Sequence, residues 1–157
     1  MIKFLYGGFF QRSVASQFKV TLLHVSPLIR RRILVKSDTT IADFHYILQT
    51  VMGWDDDHLH QFIVYEKSFG IAYDGGLSFS DNPRKIKLSD FSFRLNERFL
   101  YEYDFHDNWK HQVRLEAVRP LDPRHFYPTC IAGKRRVPPE DIRGPVAFMK
   151  TRDHYHR

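Results

Sequence analysis

Apolar and polar positions alternate at Phe18, Val20 and Leu22, within a stretch (17–25) that predicts a β-strand ended by Pro27. Residues 29–36, IRRRILVK, predict a second strand rich in β-branched side chains. The short break between them favours an antiparallel pair. The period then changes. Ile41, Phe44, Leu48 and Val51, flanked by His45 and Met52, fall on one helical stripe, while Asp43, Tyr46 and Gln49 occupy the polar side. Thr39 or Thr40 can cap the start of this helix, and Gly53 follows its last turn. An amphipathic helix packing one side onto a sheet is expected.

Beyond the acidic bend Asp55-Asp56-Asp57, residues 58–65 alternate as a strand with His58, His60, Phe62 and Val64 on one face. Residues 68–83 are rich in Gly, Ser, Asp and Asn and predict a loop, with short strands at 70–73 and 85–88. The clearest hairpin spans 99–118. Phe99, Tyr101, Tyr103 and Phe105 line one strand face, and Trp109, His111, Val113 and Leu115 line the other. A connection formed by His106, Asp107 and Asn108 aligns the two faces and sets Phe105 opposite Trp109, Tyr103 opposite His111 and Asp104 opposite Lys110. After Pro120 the pattern fades. Pro138-Pro139-Glu140-Asp141 has the composition of a helix start, which Gly144-Pro145 would stop within a turn.

These elements make one α+β domain, a mostly antiparallel sheet with one main helix packed on it, over residues 17–148. Residues 1–16 are expected to form an N-terminal extension or edge strand, and 149–157 a frayed tail. The 157 residues include fourteen Phe and eight Tyr, ample for a single core. No apolar run is long enough to span a bilayer, so no membrane partner is expected. The apolar stretch at 4–10 is too short and glycine-broken for a secretory signal. Cys130 is the single cysteine, which fits a reducing, cytoplasmic setting. The net charge of +6 favours anionic partners, nucleic acid first.

Several separated blocks together resemble one family. They are RRI at 31–33, MGW at 52–54, HLHQF at 58–62, KLSD at 87–90, FLYEYDF with Asp107, Trp109 and His111, and YP, Cys130, AG and PPED between 127 and 141. Their order and spacing resemble the plasmid pRiA4b ORF-3-like proteins, often described as TnpR-like passengers of insertion sequences. Arg30 stands where that family has a tryptophan, and Val137 and Ile142 stand where it usually has cysteines. The resemblance implies an α+β fold and a link to plasmids and mobile elements. It implies no reaction, and no recombinase nucleophile accompanies the TnpR label. His45, Trp54, Asp104, Trp109 and His111 are motif residues expected to be structural.

Two chemistries compete with a purely structural reading. Arg30 and Arg32, two apart on a strand, and Lys134, Arg135 and Arg136 are candidates for a nucleic-acid surface, whereas Arg31 points to the other face. His58 and His60 share a strand face, and with the loop carboxylate Asp107 they are candidates to hold a divalent metal, as in a metal-dependent hydrolase. His111 and His45 lie on apolar stripes and are expected to be buried and hydrogen-bonded. Cys130 lacks a neighbouring base, and no catalytic residue can be assigned. A non-enzymatic binding module associated with nucleic acid is the expected function. A metal-dependent hydrolase and a protein-interaction module are the alternatives.

Overall fold

The computed structural model describes residues 13–72 and 79–151. Seven strands form one antiparallel sheet: β1 (Val14–Leu22), β2 (Ile29–Lys36), β3 (His60–Val64), β4 (Lys67–Phe69), β5 (Arg98–Tyr103), β6 (Trp109–Pro120) and β7 (Thr129–Lys134). Their spatial order is β4-β3-β5-β6-β1-β2-β7. Helix α1 (Ile41–Met52) follows β2, and α2 (Gly144–Thr151) ends the described chain. This is a single α+β domain in which the sheet dominates. No helix among the described residues is long and apolar enough to cross a membrane.

Local chemistry accounts for α1. The Thr40 hydroxyl accepts from the Asp43 amide (3.1 Å), filling one of the donors that a helix start leaves open. Gly53 closes the other end in the left-handed region (φ 71°), sending its N–H back to the last turn. Ile41, Phe44, Leu48 and Met52 are buried as the stripe predicts. Phe44 lies 5.4 Å from Phe18 of β1 and 5.8 Å from Phe62 of β3, which seats the helix across the middle of the sheet. Gln49, expected on the polar side, is buried as well, because its side-chain amide donates to the Tyr101 hydroxyl (2.9 Å).

The hairpin of β5 and β6 differs from the expected register by two residues. Tyr103 faces Trp109, Tyr101 faces His111 and Glu102 faces Lys110, so Tyr103 is not opposite His111, nor Asp104 opposite Lys110. A shift of two preserves which side chains share a face, and the apolar faces still coincide. What alternation could not show is a longer connection, 104–108, built by Asp104. This residue turns left-handed (φ 64°) and its carboxylate accepts from the amides of His106 and Asp107. Its carbonyl accepts from Asn108 N (2.6 Å). Asp104 is therefore loop scaffold and not ladder.

Other expectations are corrected at the sheet's margins. Strand β3 begins at His60, leaving His58 in the approach to it. A strand occurs at Lys67–Phe69 instead of 70–73, and Tyr73 lies outside the described residues. Only Lys87 of 85–88 makes a bridge, to Thr40, and Leu88–Phe91 is a 3-10 turn. PPED is not helical. Gly144-Pro145 opens α2 instead of ending a helix, with proline in the first turn where its missing N–H costs nothing. The expected extension and frayed tail are shortened as well: β1 starts at Val14 and lies inside the sheet, and α2 continues to Thr151, while residues 1–12 and 152–157 lie outside the described residues.

Candidate functional site

One face of the sheet is covered by α1; the other carries charge. Arg32 of β2 stands opposite Lys19 of β1, Lys19 stands opposite Arg114 of β6, and Arg114 stands opposite Arg98 of β5. Directly opposed residues on neighbouring strands share a face, so four cations form one row across four strands. A second row begins with Lys134 of β7 opposite Arg30 of β2 and continues through the uncharged Thr21 and Gln112. Strand spacing of about 4.8 Å packs these charges closely.

Like charges directly opposite one another destabilise a sheet, so such a row calls for neutralisation. The described residues supply little. Arg32 Nε donates to both oxygens of Glu116 (2.8 and 2.9 Å). Arg114 Nε is shielded from solvent and has no hydrogen-bond partner among the described residues. Lys19 has a lowered pKa, through partial desolvation first and then repulsion from Arg114, Arg30 and Arg32, with Glu116 only partly offsetting them.

The structure divides the candidate nucleic-acid residues. Arg30, Arg32 and Lys134 lie on this face or its β7 margin. Arg135 and Arg136 follow the end of β7 and are exposed. Arg31 faces the other way, its guanidinium bonded to the carbonyls of Arg30 and Lys134 and packed over Gly133. Lys19, Arg98 and Arg114 were not singled out from sequence. Each is an isolated cation on the polar side of a strand, and only the placement of β1 between β2 and β6 assembles them.

The candidate metal ligands are divided too. His58, His60 and Asp107 do not converge. His58 Nε2 lies 3.0 Å from Asp141, 3.6 Å from Asp104 and 3.9 Å from Glu140. Burial disfavours its charged form, but the Asp141 hydrogen bond and the three carboxylate charges outweigh that and raise its pKa. A cavity of about 390 Å³ opens beside it, lined by Asp56, Asp57, His58, Asp104 and His106 among others. Asp107 instead faces His106, with Oδ1 3.1 Å from Nδ1. His60 lies inside the core, its ring stacked on His45 at 3.4 Å.

The motif residues have a structural explanation. Two indoles pin the PPED segment to the end of the sheet: Trp54 Nε1 donates to Pro138 O and Trp109 Nε1 donates to Glu140 O, both at 3.0 Å. The Glu140 carboxylate accepts from the Tyr103 hydroxyl (2.6 Å) and from Asp55 N (2.7 Å). Glu140 and burial together push the Tyr103 pKa upward, burial contributing most. His111 bonds the Tyr101 carbonyl through Nδ1 (3.1 Å), and burial lowers its pKa to about 4.

A profile of the plasmid pRiA4b ORF-3-like protein family matches residues 14–157, nearly all of the sheet-forming chain. This protein belongs to that family. Among pRiA4b ORF-3-like relatives, the uncharacterised protein y4hQ of Sinorhizobium fredii (strain NBRC 101917 / NGR234) is 31% identical over 138 residues, covering 85% of this chain and 69% of its own. The crystal structure of a protein of unknown function, MM3350 from Methanosarcina mazei Go1, is 36% identical and superposes with a TM-score of 0.79, covering 91% of this chain and 82% of its own. The fold of this chain is thus shared with the Methanosarcina mazei protein. Neither relative carries an assigned activity.

Proposed function

We propose that this protein is a non-enzymatic binding module whose charged sheet face engages the backbone of a nucleic acid. The cation row Arg32–Lys19–Arg114–Arg98 is the observation that carries the reading. Cations held against one another gain most from a partner that brings a closely spaced series of anions, and a phosphate backbone is such a partner. Exposed bases can also lie against a sheet, although among the described residues the charged rows carry no aromatic stacking residue; the affinity argued from these rows is therefore electrostatic and indifferent to base sequence. The link of the family to plasmids supports the same reading.

Fluorescence anisotropy with a mixed-sequence oligonucleotide tests it. Binding should be tightest at low salt, and log K should fall linearly with log salt, by about 0.7 to 0.9 per phosphate neutralised. Lys19→Gln with Arg114→Gln should flatten that slope by about 1 to 2, since each removes one contact. Reversing Arg135 and Arg136, which lie beyond the row, should change it less. No binding at about 50 mM salt, where nonspecific attraction is strong, would remove the proposal.

A further inference from the structure

The buried histidine pair presents a different chemistry from the charged face. His60 is 2% exposed, and neither of its ring nitrogens has a hydrogen-bond partner among the described residues. A neutral imidazole carries one donor and one acceptor, and buried polar atoms are almost always paired. Two unpaired nitrogens on one buried ring therefore need an explanation. The neighbours supply a partner for one of them, as a ligand atom. His45 Nε2 lies 2.7 Å from Asp56 Oδ1, and one ligand atom from each of His45, Asp56 and His60 lies within 4.8 Å of the others.

We propose that His45, His60 and Asp56 form a binding site for a first-row divalent transition-metal ion such as zinc, cobalt or iron(II). Two imidazoles and one carboxylate are the donors these ions prefer, whereas calcium and magnesium favour all-oxygen sites. The supporting shell around His45 and Asp56 is already in place. His45 Nδ1 lies 2.8 Å from the Tyr101 hydroxyl, which Gln49 Nε2 also contacts, and the Asp56 amide donates to Gln49 Oε1 (2.8 Å). A second hydrogen bond on the non-ligating nitrogen is how proteins orient metal-binding histidines. Burial lowers the pKa of His45 to about 4 and, together with the neighbouring His45, that of His60 to about 2. Metal binding requires neutral imidazoles, and burial favours that form.

Coordination requires one rearrangement. The rings are parallel within 7°, so no ion lies in both ring planes until His60 rotates out of the stack. His45 would bind through Nε2, with its one proton moved to Nδ1 and directed at Tyr101. Asp56 borders the open cavity and gives the ion a way in.

Metal-stripped full-length protein titrated with cobalt, followed by visible absorption and displaced by zinc, tests the site. One ion per chain is expected. Asp56→Asn should weaken binding by at least about tenfold, and Asn tolerates the left-handed backbone found there (φ 57°). His60→Gln should abolish binding, and His58→Gln should leave it unchanged. Because His60→Gln removes a core ring, histidine ring nitrogen resonances of the unaltered protein provide a second readout, and zinc should shift those of His45 and His60. Absence of binding, binding that survives Asp56→Asn, or binding lost through His58→Gln would each overturn the proposal. The last would place the ion among His58, Asp104 and Asp141 instead.

Discussion

A buried imidazole resists protonation, and the described residues include three of them, His45, His60 and His111. His45 and His111 titrate at about 4 because burial penalises their charged forms, and His60 lower still, at about 2. In the unfolded chain all three titrate near 6.5. Below that value the unfolded state takes up protons that the folded state does not, so stability is complete above about pH 6.5 and falls as pH drops toward 4. Each ring contributes at most about 1.4 kcal/mol per pH unit across that window. His58 has the opposite sign: its raised pKa adds stability below the ordinary imidazole value, and this is lost as pH rises through the folded value. Urea midpoints should fall steadily from pH 6.5 to 4.5, and a flat profile would mean that the rings reach solvent. Trp109→Ala should cost about 3 to 5 kcal/mol in the same assay, since the indole is fully buried and its N–H holds Glu140. The apolar faces of His45 and His111 were readable from periodicity alone. The burial of Gln49 was not, because its partner, the Tyr101 hydroxyl, lies on a strand distant in sequence.

At the level of elements, alternation specifies which side chains share a face but leaves register to the turn. Faces repeat every two residues, so a three-residue and a five-residue loop satisfy the β5–β6 pattern equally well. The choice was made by Asp104, whose carboxylate collects loop amides, and by α2 packing against that loop. Gly144 at the start of α2 has φ 88°, and a Cβ there would come within 2.3 Å of the Asp107 carbonyl. Gly144→Ala should therefore destabilise by about 2 kcal/mol or more, from backbone strain together with the clash. An unchanged urea midpoint would show that the α2–loop contact does not hold in solution. Strand β7 escaped prediction for another reason. It is an edge strand with no buried alternation, exposed along nearly its whole length, so its pairing with β2 leaves no hydrophobic signature.

For the whole molecule, composition indicated enough aromatic surface for one core, and an excess of cations. Strand order was beyond it. Sequence neighbours β1 and β2 do pair, but β1 also pairs with β6, and that contact creates the cation row. Mutual repulsion along the row predicts a measurable response to screening. Moderate sodium chloride should raise the melting midpoint of the free protein, and Lys19→Gln should diminish the rise. The same β1–β6 pairing also places a constraint on time. Val14–Leu22 meets its partner only once Trp109–Pro120 has been made, so Phe18, Val20 and Leu22 wait through most of synthesis without one of their two flanking strands. Long-range pairing of this kind slows folding and prolongs exposure of apolar surface. A nascent chain halted before Trp109 should remain sensitive to protease, and protection should arrive in one step when β6 clears the ribosome.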